Sequence, residues 1–306
     1  MLARLQRLVM LSIVLAAFGW LVLLWTLGHP RLAVAGSILV LLGYTLVLGI
    51  EFILLAFLHR DDPTPRAGPC QLVRAWFGEC IVAAQVFGWR QPFRSEALPD
   101  VVGRPGVRGI VFVHGYLCNR GLWNPWLKRC IAARQPCIAV SLEPVFSELD
   151  AYVLAVDRAV ATMERETGSP PLLVCHSMGG LVARAWLGSV AGADARVHHV
   201  FTIGTPHRGT WLARFSRTVN AMHMRQSCDW LCQLEQREPV SRAANFTCFY
   251  GHADNIVIPP AAAILPGAAS RHLSHTAHVA MAFHPEVISE VSRWLDTSDA
   301  VSCSAD

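Results

Sequence analysis

The sequence predicts two membrane-spanning helices followed by an α/β domain with a mostly parallel sheet. Three observations lead to this fold class. Two long apolar runs, which together contain a single charged residue, Glu51, stand at the N-terminus, the remaining chain alternates strand-like and helix-length segments, and the strand-like segments are apolar throughout. Continuous apolar strands separated by helices indicate a sheet that helices cover on both faces.

The composition supports this division of the chain. Of the 306 residues, 53% are apolar and 16% are charged, and the mean hydropathy of +0.37 is too high for an ordinary soluble protein. The net charge is +4, and most of the excess lies in the first sixty residues, where four arginines stand against one glutamate. The near-neutral remainder argues against a nucleic-acid binder, which needs a clustered basic face.

Residues 1–60 predict a transmembrane hairpin with spans at about 8–27 and 32–58. Twenty helical residues cross about 30 Å, the thickness of a hydrocarbon core. A short break that contains Pro30 separates the two spans. The alternative is a signal anchor followed by a buried helix. Glu51 lies near the end of the second run, so we expect its side chain to reach the membrane interface.

Positive charges flank both ends of the hairpin. Arg4 and Arg7 precede the first span, whereas Arg60, Arg66 and Arg74 follow the second. By the positive-inside rule, both termini are expected in the cytoplasm. The ten cysteines form no tight paired framework, which fits a reducing compartment.

Residues 61–100 predict a linker and a juxtamembrane helix. The Pro-rich stretch 61–69 is expected to be partly extended. From Cys70 to Gly88, apolar residues recur at helical spacing. This helix lies either at the membrane surface or against the following domain, and we expect it to pack on the domain.

The α/β domain is predicted over residues 101–298, with a tail at 299–306. The predicted strands are 109–113, 137–142, 172–175, 197–203 and 246–250. The predicted helices are 122–134, 150–166, 178–190 and a final helix that His284-Pro285 opens and that runs to 295. Residues 210–245 have apolar side chains at mixed helical spacing and predict a cap that either lines an acyl pocket or closes the core.

The motif Cys175-His176-Ser177-Met178-Gly179-Gly180 stands where a predicted strand runs into a helix. A Gly-x-Ser-x-Gly elbow at such a junction puts the serine on a tight turn with its hydroxyl in the cleft, although here Cys175 occupies the first glycine position. Upstream, His114-Gly115-Tyr116 follows the first strand, where a backbone N–H can face a developing oxyanion. The combination indicates nucleophilic catalysis by Ser177.

Three stretches, 111–116, 175–180 and 204–209, resemble the α/β-hydrolase family and, within it, the bacterial lipases and esterases. The resemblance covers roughly residues 105–296 and not the hairpin. Gly204-Thr205-Pro206-His207-Arg208-Gly209 lacks the Gly-Lys-Ser/Thr element of a phosphate loop, and it is similar to a structural loop near the active site of lipases.

The resemblance implies a Ser-His-Asp triad. Asp254 directly follows a predicted strand in a segment that looks like the family's acid loop, although a turn-forming aspartate also fits this position. His278 precedes the final helix and looks like the family's base, with His275 as the alternative. His272 and His284 are expected to be surface or capping residues, and His176 is expected to be a packing residue.

The implied acyl transfer uses the backbone N–H groups of Tyr116 and Met178 as the oxyanion hole. A buried Cys175 is the expected small hydrophobe at the strand end, not a second nucleophile. No cofactor is implied, and no metal either, because Cys228 and Cys232 lack a second pair of ligands.

The sequence therefore predicts a membrane-anchored serine hydrolase that cleaves a lipid-like or small carboxylic ester. We expect it in a bacterial inner membrane with the catalytic domain in the cytoplasm, and its oligomeric state is left open. Two alternatives remain. One is a thioesterase or acyltransferase with the same triad, and the other is a non-catalytic membrane scaffold on a hydrolase fold.

Overall fold

The structure is a computed structural model that describes residues 1–58 and 62–296. Arg60 of the predicted charge flank and the predicted tail 299–306 lie outside the described residues.

Two long helices open the chain, α1 at Leu2–Thr26 and α2 at Pro30–Leu58. Both are long and apolar enough to cross a membrane, and little of either is buried within the protein. They contact each other through small residues, because Ala17 and Ala33 are buried and the Ser37 hydroxyl donates to the Ala17 carbonyl at 2.9 Å.

Helix α1 begins several residues before the predicted span because its first turns bind the rest of the protein. The Gln6 amide donates to the Leu117 carbonyl at 3.1 Å, and the Arg7 guanidinium donates to the Pro92 carbonyl at 3.0 Å. These polar contacts make the hairpin part of the packed structure.

Helix α3 spans Pro69–Ala83, a π-helical stretch covers Ala84–Arg90, and the short α4 spans Gln91–Arg94. The predicted end at Gly88 is therefore too early. The helical path continues because Val86 is fully buried and Arg90 lies over the Phe283 ring at 5.1 Å, so tertiary contacts outweigh the low helix propensity of glycine. One face of α3 is buried, while Phe77 on its other face is exposed.

Six parallel strands form one sheet in the order β2-β1-β3-β4-β5-β6. Their bounds are β1 Ile110–Val113, β2 Cys137–Val140, β3 Leu172–His176, β4 His199–Ile203, β5 Phe246–Tyr250 and β6 Ala269–His272. All five neighbouring pairs are parallel. The predicted parallel sheet is thus confirmed.

The remaining helices lie between or after the strands. Their bounds are α5 Asn124–Ala133, α6 Val153–Thr167, α7 Met178–Ser189, α8 Val219–His223, α9 Asp229–Arg237, α10 His278–Met281 and α11 Pro285–Asp296. Alternate strand residues enter two different cores. Val111 and Val113 join one apolar cluster, whereas Ile110 and Phe112 join the other, so the sheet is covered on both faces.

Strand β6 is absent from the sequence prediction. It is an edge strand that pairs with β5, and three of its four residues are exposed, with Ser270 and Arg271 among them. An edge strand with exposed polar side chains lacks the apolar run that identified the other five strands.

Candidate active site

Ser177 lies directly after β3 and forms the N-cap of α7. Its backbone has φ 54° and ψ −128°, a conformation that is costly for a residue with a Cβ atom and that persists only when its surroundings hold it. The Ser177 N–H donates to the Ile203 carbonyl at 2.8 Å, and the Thr205 hydroxyl donates to the Ser177 carbonyl at 2.8 Å. The end of β4 and the loop after it therefore fix the strained turn.

The loop after β1 lies against this turn. A Cβ atom added to Gly115 would come within 2.7 Å of the Ser177 Cβ and 3.3 Å of its Oγ. A larger residue at position 115 would therefore collide with the serine. The close approach brings the 114–116 backbone beside the Ser177 side chain.

His114 holds the orientation of this loop. Its Nε2 accepts a hydrogen bond from the Leu142 N–H at 2.9 Å, so the ring proton is on Nδ1, which donates to the Gly115 carbonyl at 2.9 Å. Burial lowers the pKa of His114 to about 4, which keeps the ring neutral near pH 7. Because the C=O and N–H of a trans peptide point in opposite directions, this bond also directs the Tyr116 N–H.

Two backbone donors flank Ser177. Tyr116 N–H lies in the β1 loop, and Met178 N–H is in the first residue of α7, where helix N–H groups lack intrahelical partners. Within residues 1–58 and 62–296, neither N–H has a hydrogen-bond acceptor. These are the two groups that the sequence assigned to an oxyanion hole.

Asp254 and His278 meet at the carboxyl edge of the sheet. His278 Nδ1 lies 3.0 Å from each oxygen of the Asp254 carboxylate, and both residues are buried. Asp254 Oδ1 also accepts the N–H groups of Ile256 and Val257, each at 2.9 Å. Asp254 thus both forms the turn and orients the histidine, and a proton on Nδ1 leaves Nε2 free to act as a base.

Several charges set the pKa of His278. Burial alone would lower this pKa, but Asp254, Glu79 and Glu51 together outweigh the burial, and the net shift is upward from the ordinary histidine value. Gly204, the residue after β4, lies against the same pair: an added Cβ would be 3.0 Å from His278 Nδ1 and 3.1 Å from Asp254 Oδ2.

Comparisons with known proteins agree with this geometry. Residues 150–291, just under half of the chain, match the family model described as the PGAP1-like alpha/beta domain. Over these residues the chain is similar to that α/β domain. Comparison with curated proteins gives no significant match.

Two solved structures resemble the α/β domain of this chain. The mature form of Bacillus licheniformis lipase BlEst2 is 17% identical with a TM-score of 0.55, and the match covers 64% of this chain and 95% of the lipase chain. Aspergillus fumigatus lipase B is 18% identical with a TM-score of 0.53, and the match covers 60% of this chain and 52% of that chain. At these identities the likeness shows the fold.

The other histidines near this edge of the sheet make different contacts. His275 has φ 56°, and its N–H faces His252 Nε2 at 3.4 Å, not Asp254. His176 is buried, its Nε2 lies 3.1 Å from the His278 carbonyl, and burial lowers its pKa to about 3. His284 Nδ1 accepts the Glu286 N–H at 3.3 Å at the start of α11, as a capping residue does.

Cys175 and the segment 210–245 also have defined surroundings. Cys175 is fully buried in a core cluster, and this burial raises the pKa of its thiol, which makes it a poor nucleophile. From the segment 210–245, Ser216 and Thr218 contact the Tyr116 hydroxyl at 3.3 and 3.0 Å, while Ala221 and Leu231 enter the core. This segment therefore closes the core and also lies beside the β1 loop.

Sequence reasoning did not predict the two carboxylates that contact the loops around His278, since it placed Glu51 at the membrane interface and gave Glu79 no role. Glu79 of α3 accepts backbone N–H groups of Val279 and Ala280, and Glu51 of α2 accepts from Asn255. The sequence signal that could have identified these two carboxylates is a single acidic residue within each of two apolar helical segments. A buried acid on an apolar face requires a partner.

Proposed function

We propose that this protein is a membrane-anchored serine hydrolase that cleaves carboxylic esters, with Ser177, His278 and Asp254 as its catalytic triad. The observation that supports this most is the Asp254–His278 pair, with 3.0 Å between the ring nitrogen and each carboxylate oxygen. It lies at the same edge of the sheet as the strained turn at Ser177. The chain order Ser, Asp, His is that of α/β-hydrolases.

The proposed reaction is a two-step acyl transfer. His278 Nε2 takes the proton of Ser177 as the hydroxyl oxygen attacks the ester carbonyl, and the Tyr116 and Met178 N–H groups bind the oxyanion. The protonated His278 then gives its proton to the leaving alcohol, and an acyl-serine remains. Water attacks this ester with His278 as the base, the acid leaves, and Ser177 recovers its proton.

The proposed substrate is a lipid-like ester that the membrane delivers. Both N-terminal helices present apolar side chains, such as Leu15 and Phe57, to the outside of the protein, and a bilayer is the solvent that suits such surfaces. Two of the structural neighbours are named as lipases. We further propose a bacterial inner membrane, with both termini and the hydrolase domain in the cytoplasm, from the arginines that flank the hairpin.

Turnover of esters by the full-length protein in membranes tests this proposal. We expect Ser177→Ala to lower kcat by about 10⁴-fold or more, because the nucleophile is lost. The matched control is Ser189→Ala, which removes an exposed hydroxyl at the end of the same helix and should leave kcat unchanged. Equal turnover by wild type and Ser177→Ala would refute the proposal.

Added acceptors separate the two alternatives that use the same chemistry. The hydrolase proposal predicts that free acid remains the main product when an alcohol or thiol is supplied with the ester. Predominant formation of a new ester or thioester would identify an acyltransferase, and preferential cleavage of thioesters would identify a thioesterase. A membrane scaffold predicts no Ser177-dependent product at all.

A further inference from the structure

The backbone N–H groups of residues 278–280 donate to Glu79 of α3 and to Asn255, which in turn contacts Glu51 of α2. Glu79 of α3 accepts the Val279 N–H through Oε1 at 2.8 Å and the Ala280 N–H through Oε2 at 3.1 Å. Only 1% of Glu79 is exposed. The carboxylate thus lies inside the protein against the turn that begins with His278.

A second route reaches His278 from α2. The Asn255 amide donates to Glu51 Oε2 at 2.6 Å, and the Asn255 Oδ1 accepts the His278 N–H at 3.2 Å. Asn255 is fully buried and follows the acid residue Asp254 directly. Glu51 therefore fixes the amide that in turn fixes the backbone of His278.

These contacts replace capping that the local sequence does not provide. The first N–H groups of a helical turn have no partner within it, and Ala277, the residue before α10, has no side chain that can accept them. Hydrogen bonds from N–H groups to a carboxylate are shorter and stronger than neutral ones. The backbone of the turn that begins with His278 is consequently held by two carboxylates that lie about 200 residues earlier in the chain.

The same carboxylates also act on the charge of His278. Burial raises the pKa of Glu79 to about 7, although the Val279 and Ala280 N–H groups and His278 itself pull this pKa down. The groups that face His278 are Asp254, Glu79 and Glu51, which raise its pKa, and His176, a neutral neighbour whose ring centroid is 4.8 Å away. Negative charge at Glu79 and Glu51 favours the imidazolium that forms during acyl transfer.

We infer that Glu79 and Glu51 are positioning residues for His278, so that α3 and the proposed membrane helix α2 take part in the active site. This inference rests on the proposed function, because it assumes that His278 is the base. Glu79 acts directly on the backbone of the 278–281 turn, and Glu51 acts through Asn255. Gln6 of α1 donates to the Leu117 carbonyl, so α1 contacts the loop that carries the Tyr116 N–H.

The test compares steady-state kinetics and pH profiles of Glu79→Gln and Glu51→Gln in the full-length, membrane-embedded protein. Glutamine keeps the size of the side chain but removes its charge. For Glu79→Gln we expect kcat to fall about tenfold to a hundredfold with little change in KM, because the base is misdirected. The acid limb of kcat/KM should move to lower pH by up to about half a unit, since His278 loses a neighbour that, with a pKa of about 7, is partly ionised where His278 titrates.

Two further variants separate this role from a purely structural one. Glu79→Asp keeps the charge, so its acid limb should remain at the wild-type pH even if kcat falls. Asp157→Asn is the matched control, because Asp157 also accepts two hydrogen bonds, from Trp186 at 3.0 Å and Arg196 at 2.6 Å, which lie outside the loops that carry the triad. It should change neither kcat nor the acid limb.

Glu51→Gln keeps an acceptor for Asn255 and is half-buried, so it tests the inference even if Glu79→Gln does not fold. It should shift the limb in the same direction by a smaller amount. If the folded Glu79→Gln and Glu51→Gln variants keep the wild-type kcat and acid limb, as Asp157→Asn should, the inference is wrong. If Ser177→Ala retains full turnover, the proposed function is wrong, and the inference falls with it. Failure of the inference is therefore measured in the glutamine variants, and failure of the proposed function in Ser177→Ala.

Discussion

His278 is the residue whose protonation decides whether the proposed mechanism operates. Its pKa lies above the ordinary histidine value because Asp254, Glu79 and Glu51 outweigh the effect of burial. The base must be neutral, so activity is present above this pKa and is lost as the pH falls through it. We therefore expect the acid limb of kcat/KM to lie above about pH 6.5, the unperturbed value for histidine.

Substitution of the two candidate bases checks this assignment. His278→Ala should lower kcat by about 10⁴-fold, as loss of a triad base does. His275→Ala should leave kcat within about twofold of wild type and the acid limb at the wild-type pH, because the His275 N–H contacts His252 and not Asp254. The opposite pattern, or turnover that stays constant down to pH 5, would assign the base to another group.

At the residue scale, the sequence was sufficient for side chains that belong to local motifs. Ser177 could be predicted because strand, turn and helix adjoin in one short stretch, and the structure has the strained turn there. The triad itself stays a prediction, although Asp254 and His278 are brought together. Glu79 could not be predicted, because its partners are the N–H groups of residues 279 and 280, and backbone donors leave no trace in the sequence.

At the element scale, the loop after β4 supports both halves of the site. Thr205 donates to the Ser177 carbonyl, and Gly204 lies against the Asp254–His278 pair with φ 56°. Both contacts require the backbone of this loop to approach closely. The loop therefore links the serine turn to the acid–base pair.

Gly204→Ala tests this link. The added methyl would push the Asp254–His278 pair apart, and the positive φ costs about 1–2 kcal/mol for alanine. We expect kcat to fall at least tenfold, together with a lower midpoint of thermal unfolding. Gly192→Ala is the matched control: its φ is 72° and the added Cβ has no neighbour within 4 Å, so only the unfolding midpoint should fall. Equal kcat values for the two variants would show that the loop does not support the pair.

Elements with a continuous apolar run were predictable, and those that depend on tertiary partners were not. The predicted strand 246–250 coincides with β5, because a central parallel strand is apolar on both faces. Strand β6 was missed because its exposed residues carry no such signal. The path beyond Gly88 was missed because contacts made by Val86 and Arg90, and not local propensity, continue it.

At the scale of the whole molecule, the apolar composition belongs mainly to α1 and α2, whose apolar side chains are largely exposed. The hairpin nevertheless has polar contacts with the rest of the protein at both ends, through Gln6 and Arg7 of α1 and Glu51 of α2. A sequence pattern can identify a hydrophobic helix, but it does not indicate which loops its few polar side chains will bind.

Membrane extraction and thiol labelling test the proposed anchoring and orientation. We expect the protein to stay in the membrane fraction after an alkaline carbonate wash and to be released by detergent. Cys232 is exposed on the α/β domain, so a membrane-impermeant maleimide should label it only after spheroplasts are opened, with Cys232→Ser as the control. Labelling of Cys232 in intact spheroplasts would put the domain on the other side of the membrane.

The most direct test of the central claim is covalent labelling of Ser177 by a fluorophosphonate probe in membranes that contain the full-length protein. Attack on phosphorus requires an activated serine, so wild type should be labelled and the modified peptide should contain Ser177. Ser177→Ala should not be labelled, and His278→Ala only very slowly, whereas Ser189→Ala should match wild type. Absence of label on wild type, or label on a residue other than Ser177, would contradict the account.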